Sequence, residues 1–142
     1  MIEHFTDKIF IDWFPENEKY LSPDVIFRLK PVYFSKYSPK NGGSFKLLLY
    51  KVDRKYVGFL RYNISEYRCI ELEYIAVEPE NQRNGIGFEL ASYAIDEGIK
   101  NKCVEVSARY SYAAKRLIET LEIEYKSQVN FEKCVPIEKE SE

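Results

Sequence analysis

The 142-residue chain is 45% hydrophobic and 31% charged, which suits one soluble globular domain over residues 1–142 and leaves no room for a second. Its 21 basic and 23 acidic side chains give a net charge of −2 and are interleaved, so the basic stripe of a nucleic-acid binder is missing. No apolar run approaches the roughly 20 residues that span a bilayer, and MIEHFTDKIF lacks the charged-then-apolar pattern of a signal peptide, so a cytoplasmic protein with no membrane partner is expected.

The first 41 residues are interrupted by Pro15, Pro23, Pro31 and Pro39. A short strand is expected over residues 9–13, then helical pieces after Ser22-Pro23-Asp24, with Ser22 as N-cap and Pro23 at the first helical position. Pro31 should end or kink that helical stretch. His4, the only histidine, sits in a terminus expected to be mobile and is a poor candidate for chemistry. Asn41-Gly42-Gly43 reads as a turn. Residues 45–52 and 56–63 read as two strands of a hairpin joined by Asp53-Arg54-Lys55, and after a turn at Glu66, residues 68–77 continue the meander.

Residues 70–77, IELEYIAV, alternate apolar and polar positions and are followed by EPENQRNGIG and an amphipathic run through Ile86, Leu90, Ala94 and Ile95. Pro79 ends the strand, and Gly85 and Gly87 let the backbone turn tightly without Cβ interference. The first-turn N–H groups of the helix, its positive dipole end and Arg83 then form a site suited to a pyrophosphate. That helix should run to about Ile99, with Gly98 and Asn101 as stop signals. A strand over 103–108 follows, then a helix whose apolar face is Ala114, Leu117, Ile118 and Leu121, then a β-type region over 123–137 and a frayed tail from Glu138. Cys69, Cys103 and Cys134 are odd in number and form no CxxC or Cys/His cluster, so reduced thiols are expected, with neither disulfides nor a metal site.

Gln82-x-x-Gly85-x-Gly87, read with the strand, V-x-P and acidic loop before it and the helix after it, resembles the Q/R-x-x-G-x-G/A acetyl-CoA-binding motif of the Gcn5-related N-acetyltransferases, the GNAT family. The resemblance implies an α+β fold with a mixed, mostly antiparallel sheet flanked by helices, in which a splayed strand pair binds acetyl-CoA. It places the co-substrate on backbone groups of Ile75, Ala76 and Val77, with the pyrophosphate on Gln82, Arg83, Asn84, Gly85, Ile86 and Gly87. A main-chain N–H near Val77 would polarise the thioester carbonyl, and an amine would attack directly, with no metal and no acyl-enzyme.

A lysine-like amine has a pKa of about 10.4, so a base or water chain must deprotonate it. The resemblance makes Glu71 the first candidate and Glu73 the second, although both are equally what the solvent face of an alternating strand requires. A β-bulge in this strand would change its phase and could exchange their roles. Many members carry the leaving-group acid in a segment like N-x-x-A-x-x-x-Y-x-x-x-G-F. Here Ser111 stands for the Asn, which adds it to the cofactor set, while Ile118 stands for the Tyr and Glu122-Ile123 for the Gly-Phe. Tyr110 and Tyr112 are the available substitutes. The function implied is acetyl transfer from acetyl-CoA to a primary amine of a small molecule or peptide. The alternative is a catalytically weak acyl-CoA-binding sensor or interaction module. The mildly acidic chain and its Glu-rich strand hint at a cationic acceptor, and family members often form homodimers.

Overall fold

The computed structural model describes residues 1–34, 45–82 and 84–137. The expected 41–43 turn, the expected fraying from Glu138 and the side chain of Arg83 lie outside the described residues. Six strands, β1 (Ile2–Thr6), β2 (Phe45–Val52), β3 (Lys55–Ile64), β4 (Cys69–Val77), β5 (Glu105–Tyr110) and β6 (Asn130–Pro136), form one sheet in sequence order. The first four pair antiparallel, while β4 with β5 and β5 with β6 run parallel. The helices are α1 (Asp7–Asn17), α2 (Pro23–Phe34), α3 (Ile86–Lys100) and α4 (Lys115–Tyr125). None of them is long and apolar enough to cross a membrane.

The strand expected at residues 9–13 is instead part of α1. Thr6 caps the helix by accepting from the Ile9 N–H at 3.2 Å, and Phe10 and Phe14 are buried one turn apart against β2 and β3. The N-terminal residues expected to be mobile form β1, which pairs with β2 from Ile2↔Tyr50 to Thr6↔Lys46 and holds His4 on an edge strand. Ser22 caps α2 as expected, at 3.4 Å from the Val25 N–H. Pro31 does not end that helix, which runs on to Phe34. Tyr33, beyond the proline, donates to Asp7 at 2.7 Å, and that tertiary anchor outweighs the local break. The β-type region expected over 123–137 is strand only at its end, because Ile123 and Tyr125 belong to α4 and Tyr125 donates to Asp96 on α3 at 2.8 Å. Similarly, β5 begins at Glu105, after Cys103.

One sheet face carries α1 and α2 over Phe5, Leu47, Leu49 and Phe59. The other carries α3 and α4 over Ile70, Val106, Leu48 and Leu60. Gly98 is not the stop signal for α3. It lies inside the helix, where a Cβ would stand 2.1 Å from Ile70 Cγ1, so its role is close approach to β4. Asn101 and Lys102 end the helix, the Asn101 side chain donating to the Glu97 carbonyl at 2.8 Å and Lys102 taking φ +68°. On the same face, Lys46 and Tyr62 donate to Glu97. Burial opposes the Glu97 charge, but these two bonds hold its carboxyl below the ordinary range.

The sheet and both N-terminal helices meet at Arg61, which is only 2% exposed. Its guanidinium donates to Asp7 of α1 at 2.7 Å, to Tyr33 of α2 at 3.2 Å and to Glu73 of β4, and lies 4.1 Å above the ring of Phe45 on β2. Burial alone would push the guanidinium pKa down, yet the bonds to Asp7 and Glu73 hold it above its ordinary value. Tyr33 is pushed up by burial and by its bond to Asp7.

Gly98→Ala should destabilise the protein by about 1–2 kcal/mol in chemical denaturation, since forced overpacking outweighs the better helix propensity of alanine. Arg61→Met should remove about 3 kcal/mol, because Asp7 and Glu73 lose a buried counter-charge; a midpoint within error of wild type would show the cluster to be dispensable. The Glu97 contribution should be complete above the unfolded carboxyl range near 4.5 and fade as pH falls through the depressed folded value, so Glu97→Gln should flatten the acid limb of the stability curve.

Candidate active site

Strands β4 and β5 share only four register pairs, from Cys69↔Glu105 to Leu72↔Ala108. Beyond these, β4 continues along β3 to Val77, whereas β5 continues along β6 to Tyr110, whose carbonyl accepts from the Ile137 N–H at 2.9 Å. The change coincides with a bulge. Arg61 faces Tyr74 and Tyr62 faces Leu72, which leaves Glu73 unpaired on β4. Glu73 bonds Arg61 while Tyr74 stacks on Phe59 at 5.6 Å, so two consecutive side chains lie over the α1/α2 face. A pocket of about 280 Å³ opens between the strands, lined by Glu73, Tyr74 and Ile75 from β4, Arg109 and Tyr110 from β5, and Ile118 from α4.

A wider cleft of about 660 Å³ adjoins it, and Ile75, Ala76, Val77, Gln82, Gly85, Gly87 and Ser111 all line it. A short 3-10 turn, Pro79–Asn81, carries the chain from β4 to Gly85. Gly85 takes φ +75°, the left-handed conformation that glycine adopts without strain, and its carbonyl accepts the Glu89 N–H at 3.0 Å. The amides of Ile86, Gly87 and Phe88 precede that bond and have no intrahelical acceptor, so the helix start presents donors. Gln82 Nε2 donates to the Val77 carbonyl at 3.0 Å and ties the turn to the strand end. Ile86 contributes by its backbone only, since its side chain is buried against Val57 and Leu90, and Asn84 is exposed outside the cleft. A methyl at Gly87 would meet Leu117 Cδ2 at 3.5 Å, an ordinary contact, so alanine also fits there.

The two candidate carboxylates are separated. Glu71 accepts from Asn63 Nδ2 at 2.8 Å and lines neither cavity, whereas Glu73 lines the pocket. Its Oε1 is held by Arg61, which leaves Oε2 for a ligand. The tyrosines divide likewise: Tyr110 lines the pocket and Tyr112 is 79% exposed outside it. Ile118, 7% exposed, forms pocket wall where a tyrosine would reach the same space. Three arginines escaped the sequence reading: Arg28 of α2 lines both cavities, Arg109 the pocket and Arg116 of α4 the cleft. Only the tertiary arrangement reveals them, because their own segments carry no motif. Among the described residues no group of His, Cys, Asp and Glu could hold a metal ion.

Residues 6–122 match a model of the acetyltransferase (GNAT) family. A search of curated proteins returned no match. The aminoglycoside N-acetyltransferase AAC(6')-Iy, solved with CoA, is 13% identical with TM-score 0.55, over 100% of this chain and 99% of that one. The aminoglycoside acetyltransferase meta-AAC0020 from an uncultured soil metagenomic sample, solved with trehalose, is 16% identical with TM-score 0.58, over 100% and 96%. Tetrahymena GCN5 is 15% identical with TM-score 0.50, over 81% and 64%. The chain spans about half the length, 48%, of a nourseothricin acetyltransferase that it also matches. These likenesses concern the fold, while the family match extends through the strand, turn and helix that build the cleft: the chain belongs to the GNAT acetyltransferase family.

Proposed function

We propose that this protein moves acetyl from acetyl-CoA to a primary amine by direct attack, without an acyl-enzyme. The observation that carries the reading is the continuous cleft joining the free end of β4 to the start of α3. In this reading β4 and β5 are a splayed pair and acetyl-CoA lies between them along Ile75, Ala76 and Val77. Its pyrophosphate rests on the turn from Gln82 to Gly87, with Ser111 and Arg116 lining the same cleft. A main-chain N–H beside Val77 polarises the thioester carbonyl as charge develops on its oxygen.

Glu73, rather than Glu71, is the base we assign, acting through its Oε2 directly or through one water. Its position in the pocket, fixed by Arg61, supports this. Tyr110 is the donor we assign to the departing thiolate, in place of the tyrosine that Ile118 replaces. General-acid help is typically worth about 10² to 10⁴ in rate, and a thiol of pKa about 8.5 leaves readily enough for water to substitute, so the enzyme should be slow without Tyr110 and still active. The buried Ile118 also favours a second reading, an acyl-CoA-binding module with little turnover.

Calorimetric titration with acetyl-CoA and with CoA, followed by thiol release against amines, separates the two. Binding with amine-dependent release is the expected result, binding without release favours the sensor, and no binding removes the reading altogether. Gly85→Asp should weaken acetyl-CoA at least about tenfold, since it strains the left-handed residue and sets a carboxylate where phosphate belongs. Glu73→Gln should lower kcat about 10²-fold with the acetyl-CoA Kd unchanged, and Glu71→Gln should stay near the wild-type rate.

A further inference from the structure

The charged side chains lining the pocket between β4 and β5 are Glu73, Arg28 and Arg109. Glu73 already bonds the buried Arg61, whereas Arg28 and Arg109 have no ion-pair partner among the described residues. They come from different elements, α2 and β5, and the fold brings both residues to the wall of one cavity. Among the described residues, two arginines and one carboxylate already paired to Arg61 therefore line this pocket, in a chain whose net charge is −2.

Resting on the transferase reading above, we propose that the acceptor is a small amine bearing a carboxylate close to the amine, in chemical class an amino acid, and not a polycation. Arginine presents a planar fork that matches a carboxylate with two parallel hydrogen bonds, which an ammonium group cannot supply. An amino acid offers its amine to Glu73 and its carboxylate to Arg109, so both charges of the acceptor meet a complement in one cavity. A cationic acceptor would bring like charge against Arg28 and Arg109, with one shared carboxylate to offset it. The cavity volume of about 280 Å³ also suits a small acceptor better than a multi-ring sugar. The inference thus parts from the aminoglycoside acetyltransferases that share the fold. Arg28 also lines the wider cleft, whereas Arg109 lines only the pocket, which makes it the specificity-determining residue.

The test uses the full chain with saturating acetyl-CoA and measures thiol release against the twenty common amino acids, their carboxamides and kanamycin, compared at equal concentrations of unprotonated amine. The expected result is a KM for the best amino acid at least about tenfold below that of its carboxamide, the size of one charge-assisted hydrogen bond. Arg109→Gln should raise that KM about tenfold, leave kcat within about twofold and the acetyl-CoA Kd unchanged, and erase the preference; Arg109→Lys should recover part of it. Carboxamides or kanamycin used with equal or lower KM, or a preference that survives Arg109→Gln, would overturn this inference while the transferase stands. Acetyl-CoA binding with no release from any of these amines would instead overturn the transferase reading, and this inference with it.

Discussion

A guanidinium buried among aromatic rings is tolerable only when its charge is answered, and Arg61 is answered from three directions. Asp7 comes from α1, Tyr33 from α2 and Glu73 from β4, so satisfying one cation fixes three elements relative to β3. The desolvation cost of such a group is several kcal/mol, which the structure offsets only if all partners arrive together. The arrangement is therefore a condition for the fold as much as a consequence of it. It also holds Glu73 at the pocket by one carboxylate oxygen, a restraint that an unpaired strand glutamate would lack.

The remainder of the site is built on regular elements and short connections. Gly98 lets α3 approach Ile70 on β4, and the Gln82 side chain bonds the turn back onto the Val77 carbonyl, so both contacts tie α3 and its turn to β4. Opposite them, α2 and β5 contribute Arg28 and Arg109 to the pocket wall. The two walls thus differ in kind: one is set by close backbone packing, and the other carries long side chains.

Much of this was legible in the sequence. The hairpin of β2 and β3, the strand β4 and the glycine turn into α3 follow from alternation, punctuation and helical period, because those signals are local. The turn residues Gln82, Gly85 and Gly87 line one cleft with Ile75, Ala76, Val77 and Ser111. What escaped was decided at long range. Pro15 and the β-branched Ile9 and Ile11 masked α1, although Thr6 and the spacing of Phe10, Trp13 and Phe14 carried its signature. Pro31 sits inside α2 because Tyr33 has a partner 26 residues away. Whether Glu71 or Glu73 faces the pocket turned on a bulge, which no alternation pattern can reveal.

The bulge at Glu73 also falls where the pairing of β4 with β5 stops. Ahead of it, β4 forms four register pairs with β5; after it, the strand's phase is advanced by one residue and only β3 and, on the far side, β6 continue the ladder. Pleated strands otherwise tend to pair along their whole shared length, since each unpaired amide and carbonyl is a loss. A single supernumerary residue thus stands at the point where the ladder between the two strands ends. Past that point the backbone edges of β4 and β5 face a cavity rather than each other.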